Sequence, residues 1–221
     1  MTPGVRAHFD ERLSGLTQEV LRLGSLARDA VRRGVEALVQ GDEQLAREVV
    51  RSDEAINTLR LEVEQECYFL LATEQPVAGD MRVIVSALIV SSDLERIGDH
   101  GKKIAQAYLS MLENPRPIPM MNVERMAAMA LAMVDRALAV YVTQEIEEAR
   151  AICSADDDVD AFYKQTFNVI LSYMLENSRL IGPGTHLLQA AHELERVADR
   201  ATNVAERVIY SVTGELKDLN P

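Results

Sequence analysis

Apolar residues recur at helical spacing along almost the whole chain. Leu13, Leu16, Val20, Leu23, Ala27 and Ala30 step by 3 and 4 residues in alternation, which holds them on one helix face. Gly41–Asp42 offers a C-cap glycine followed by an N-cap aspartate, so a first helix ends there and a second begins. The second runs through "EQLAREVVRSDEAINTLRLEVEQECYFLLAT", with a bend expected near Ser52. Pro76 is expected in the first turn of a third helix, where its missing N–H does no harm, and that helix extends to about Leu112. "ENPRPIPMMN" then breaks the pattern with Pro115, Pro117 and Pro119. Beyond it Val123, Met126, Ala130, Met133, Ala137 and Val140 restart the same alternation. The polar cluster "SADDD" predicts a turn between helices four and five, and Gly182–Pro183–Gly184 one between five and six.

The two halves correspond in detail. "DEAINTL" at 53–59 aligns with "DDDVDAF" at 156–162, and Leu94, Glu95, Arg96, Asp99 and Ala105 recur as Leu194, Glu195, Arg196, Asp199 and Ala205. The expected fold is all-α: two tandem three-helix bundles, related by a pseudo-two-fold internal repeat and joined end to end. The boundaries are 1–112 for the first bundle, 113–122 for a Pro-rich linker and 123–221 for the second. Helices of about 30 residues would be about 45 Å long, which makes the molecule elongated.

Composition agrees with helices: 48% of residues are apolar, 5% are aromatic and Trp is absent. The net charge of −12 repels phosphate backbones and anionic lipid, which argues against nucleic acid as a partner. Cys67 and Cys153 have no partner spacing and read as buried thiols of a reducing compartment. The N-terminus has no apolar signal-like core, and no apolar run is expected to reach the roughly 18 residues of a membrane span, so a cytoplasmic protein without membrane insertion is expected. The Met-rich run "PMMNVERMAAMALAMVD" reads as core.

Candidate chemistry lies on the repeated acidic faces. At 100° per residue Glu195, Asp199, Asn203 and Glu206 share one stripe, beside an apolar stripe of Leu194, Ala198, Ala201, Ala205 and Val208. Like charges one turn apart cost about 0.2–0.5 kcal/mol per pair unless a cation compensates. An oxygen-rich stripe suits Mg, Mn, Fe or Zn, whereas a plain solvated acidic face needs no ion. Glu95 and Asp99 repeat the spacing, but Lys102 and Lys103 follow Asp99, and an Asp99–Lys103 salt bridge would account for that face without metal. Glu-x-x-His, P-loop and GxGxxG motifs are absent, so no enzyme is expected.

With "DLERIGDH" and "HELERVADRATNVAE" in hand, together with "LGSLARDAVRRGVEAL" and "EQPVAGDMRVI", the chain resembles the PhoU family, regulators of phosphate transport, over nearly its whole length. The resemblance implies a cytoplasmic, non-enzymatic homodimer. Its implied partners are the ATPase subunit of a phosphate ABC transporter and a phosphate-sensing histidine kinase. It implies negative regulation of phosphate uptake and of that two-component system when phosphate is plentiful. It also implies multinuclear Fe or Zn on the motif faces, with Glu95, Asp99, Glu195 and Asp199 as ligands and Asn203 and Glu206 next. Lys103 and Gln106 depart from the Asn and Glu usual in the first motif. The alternative is a metal-free helical adaptor of another signalling pathway; a metal-dependent hydrolase is a third reading.

Overall fold

Six α-helices carry the chain: α1 (Pro3–Gln40), α2 (Glu43–Thr73), α3 (Ala78–Met111), α4 (Met121–Thr143), α5 (Ile146–Glu176) and α6 (Ile181–Thr213), with a 3₁₀ turn at Ser178–Leu180. The computed structural model describes residues 3–112 and 119–215, so most of the expected linker lies outside the described residues. The first junction follows its local signals. Gly41 takes φ 71°, and the Asp42 side chain accepts from the Leu45 N–H at 2.9 Å.

Three local expectations are corrected. "SADDD" lies inside α5, and the break between α4 and α5 falls at Gln144, which adopts φ 58° as the C-cap. The cluster stays helical because Asp156 and Val159 turn into the bundle while Asp157 and Asp158 face solvent. Gly182–Pro183–Gly184 forms the first turn of α6, the one place where proline sacrifices no helical hydrogen bond; the break precedes it at Asn177. Pro76 stands in the α2–α3 connection, after Gln75 at φ 47°, and α3 begins two residues later. The expected bend at Ser52 does not interrupt α2.

α1, α2 and α3 pack on one another, as do α4, α5 and α6. The bundles do not meet end to end, however. They lie side by side, α3 along α6 and α1 along α4. α3 and α6 run antiparallel: Arg82 donates to the Ser211 carbonyl, Asp93 meets Arg200, and His100 meets Glu193. Shared burial along this seam explains why both helices bear apolar residues on more than one stripe. It also merges the two bundles into one continuous core.

The core fills the predicted stripes. Leu16, Val20, Leu23, Ala27 and Ala30 are buried in α1, as are Val123, Met126, Ala130, Met133, Ala137 and Val140 in α4. Contrary to expectation, Asn122–Thr143 is long and apolar enough by composition to cross a membrane. That composition has a packing reason, since α4 touches α1, α5 and α6. In the first bundle α1 and α3 approach unusually closely. A Cβ on Gly101 would stand 2.5 Å from the Val31 nitrogen and one on Gly34 2.5 Å from the Gly101 carbonyl oxygen. Only paired glycines permit that crossing.

Candidate functional site

On the second bundle, α5 and α6 bring four carboxylates together. Glu195 and Asp199 lie one turn apart on α6, and Asp156 and Asp160, one turn apart on α5, act on Glu195 electrostatically. Asp156 is buried, at 3% exposure. Burial, then repulsion from Asp199 and Asp160, pushes the Glu195 carboxyl up to about 7 against the opposing pull of Arg196. Burial also raises Asp199, and Arg196, 2.9 Å from its Oδ2, does not reverse the shift. One Glu195 oxygen, Oε2, is buried and accepts no hydrogen bond; the His192 ring stands 3.4 Å away without hydrogen-bond alignment. The remaining predicted residues diverge. Asn203 donates across the seam to Asp93 at 3.3 Å, and Glu206 lies near Cys153, whose thiol it helps to push up.

The first bundle places different chemistry at the corresponding positions. Asp53 on α2 occupies the place of Asp156, and Asn57 that of Asp160. Lys102 Nζ donates to Asp53 Oδ2 at 2.8 Å and lies 3.7 Å from Asp99 Oδ1. Lys103 Nζ lies 2.8 Å from Asp99 Oδ2, the salt bridge expected from spacing. Burial alone would raise Asp99, but the two lysines outweigh it and hold its carboxyl below the usual range. Glu95 is half-buried one turn away. Asp99 and Asp199, equivalent in sequence, are thus shifted in opposite directions.

The second face suits a divalent cation: its donors are hard carboxylate oxygens, one of them buried without a hydrogen bond, and its acids repel one another. Among the described residues, no three His, Cys, Asp or Glu side chains already converge as a ligand set, so ion binding there requires side-chain adjustment. The first face does not fit a free cation, because ammonium groups already occupy the oxygens of Asp53 and Asp99 that would bind it. Sequence reasoning from α3 and α6 alone missed Asp53, Asn57, Asp156 and Asp160. Their signal was the alignment of "DEAINTL" with "DDDVDAF", which places an acid at the same position of α2 and α5.

Comparison with known proteins accounts for the duplication. The family model described as the PhoU domain matches twice, over residues 20–108 and 123–208. The chain belongs to the PhoU family. A phosphate-specific transport system accessory protein PhoU homolog of Rhizobium meliloti is 35% identical, with 95% of this chain and 89% of that protein covered. The homolog of Caulobacter vibrioides is 37% identical over 97% of this chain and 94% of its own. Among solved structures, PhoU from Pseudomonas aeruginosa superposes with a TM-score of 0.89 at 33% identity, covering 94% of this chain and all of that one. The phosphate transport system regulatory protein PhoU from Streptococcus pneumoniae gives 0.89 at 32%, covering 95% and 99%. The all-α tandem architecture is therefore that of PhoU proteins, and the family places the chain in the regulation of phosphate transport.

Proposed function

We propose that this chain is a non-enzymatic negative regulator of phosphate uptake and of the phosphate-responsive two-component system. It acts in the cytoplasm, as a homodimer, by contacts with the transporter's ATPase subunit and the sensor histidine kinase. The observation that carries this reading is the match of both halves to a family whose relatives are named as accessory proteins of phosphate-specific transport. A contact protein needs no reaction chemistry. Binding one of two partner states more tightly is sufficient to shift that partner's activity. Deleting the gene and assaying a phosphate-starvation reporter in high phosphate tests the regulatory role. Derepression is expected, and full repression in a strain with no second copy would sink it.

A divalent ion, Fe, Zn, Mn or Mg, is proposed on the Glu195–Asp199 face, where it would neutralise mutually repelling acids and stiffen the α5–α6 pair. The buried, unbonded Glu195 oxygen supports this. Elemental analysis of protein purified without added metal should find one of these at stoichiometric levels. A metal-free reading is favoured by the lack of a converged ligand set among the described residues. Under it, melting temperature is indifferent to chelator.

A further inference from the structure

We propose that Lys102 is a built-in cation of the first bundle, standing in for a free ion, so that only the second bundle has a cation-responsive face. The clause on the second bundle rests on the metal reading above; the one on Lys102 does not.

Lys102 projects from α3 and reaches α2. Its ammonium lies 2.8 Å from Oδ2 of Asp53, a carboxylate only 8% exposed, and 3.7 Å from Asp99 Oδ1. The same Asp53 oxygen accepts from the Asn57 amide at 3.0 Å. Lys103 covers the other oxygen of Asp99 at 2.8 Å and lies 4.0 Å from Glu193. Both oxygens of Asp99 therefore have an ammonium beside them. Asp53 and Asp99 thus face two positive charges.

The second bundle lacks this arrangement at the equivalent positions. Thr202 stands where Lys102 does, and its hydroxyl donates to the Asp199 carbonyl at 2.6 Å. Asn203 stands where Lys103 does, and its amide is turned to Asp93. Asn57 is replaced by a fourth carboxylate, Asp160. Arg196 is the cation paired with Asp199; Arg200 also acts on it, but its guanidinium is engaged by Asp93. His192 lies beside Glu195 and His100 acts on Asp199 from α3.

An ammonium tethered by its own chain sits among carboxylates without the entropy cost of capturing an ion from solution. It also repels any divalent cation that approaches. The first bundle thus gains a permanent link between α2 and α3, whereas the second depends on what is in solution. One repeat is fixed and the other responsive.

The test uses the full chain carrying E195Q and D199N, which disables the second face, with Mn2+ as the probe and chelator as the control. With native lysines this variant should bind no stoichiometric Mn2+ by titration calorimetry. Adding K102T and K103N, the residues of the second bundle, should tighten Mn2+ binding by about tenfold or more, as removal of nearby fixed positive charge predicts. Mn2+ should then raise the melting temperature. The proposal is overturned if the native-lysine variant binds Mn2+ and loses it with D53N and D99N, or if the lysine substitutions bring no gain. Should the combined variant unfold, a D53N/K102M double-mutant cycle of melting temperature in chelator decides. Coupling supports Lys102 as the counter-ion, and additive effects overturn it. Lack of Mn2+ binding by the native chain would instead defeat the metal reading of the second face, and the lysine comparison stands independently of it.

Discussion

His100 Nδ1 lies 2.6 Å from Glu193 Oε2, buried in the seam where α3 runs antiparallel to α6. Its repeat-related counterpart is Asp93 with Arg200 at 3.2 Å. Each helix contributes one acid and one base, at equivalent positions, so the seam has the reciprocal form of a two-fold interface within one chain. Removing one member of a buried pair strands the other. Glu193→Ala should therefore cost roughly 3 kcal/mol, or about 6–12 °C in melting temperature for a chain of this size. Glu193→Gln, which preserves a hydrogen-bonding group, should lose clearly less. Thermal unfolding of both variants checks this, and a negligible change in the alanine variant would refute it.

The α1–α3 crossing should be intolerant of a single methyl. In Gly101→Ala the new Cβ would meet backbone on α1, 2.5 Å from Val31 N and 2.6 Å from the Ala30 carbonyl carbon, and backbone cannot swing aside as a side chain can. A loss of about 1–3 kcal/mol is expected. In the second bundle Ala201 already occupies the equivalent place, so Ala201→Gly should cost about 1 kcal/mol, the mid-helix glycine penalty. Denaturant melts of the two variants would separate these costs.

Neutralising the same acid in each half should give opposite results. Asp99 is held below its usual range by Lys103 and Lys102 despite burial, so its charge stabilises the fold, and Asp99→Asn should lower stability. Asp199 is raised by burial, so in chelator Asp199→Asn should be neutral or stabilising. Equal losses from the two substitutions would contradict this asymmetry.

Glu195 sets a pH dependence of unusual sign. Its value of about 7 in the fold exceeds the ordinary 4.5. Between those values the folded chain holds a proton that the unfolded chain releases, so stability contributed by this group falls as pH rises through that window. Above pH 7 the full penalty remains. In chelator, Glu195→Gln should flatten this part of the profile and raise stability at pH 8 by ~1 kcal/mol, a figure reduced for the group's partial exposure to screening solvent. Melting temperature against pH for native and variant chains measures it.

Cys67 and Cys153 should be inert in the native protein. Burial, aided by neighbouring acids, pushes their thiols up to about 12 and about 11, so almost no thiolate exists at neutral pH. Labelling by a thiol reagent should be on the order of a thousandfold slower than in denaturant, where both sites open. Rapid stoichiometric labelling of folded protein would show that α2 or α5 opens readily.

The sequence by itself determined six helices, their buried stripes, the internal repeat and the Asp99–Lys103 pair. The repeat follows from aligning the two halves; the rest follows from spacing within one helix, where 3.6 residues per turn fixes which side chains meet. Local polarity misled at "SADDD" and at Gly182–Gly184, because a polar or proline-containing segment is helical when its geometry suits a first turn or an exposed face. Tertiary structure alone decided that the bundles lie side by side, that His100 turns from the acidic stripe to Glu193, and that Lys102 reaches Asp53 on another helix. It also brought Asp156 and Asp160 against Glu195. Helical periodicity specifies a face but not the partner that covers it. The charge balance of each acidic face was settled only when a second helix brought its own acids or was reached by a lysine.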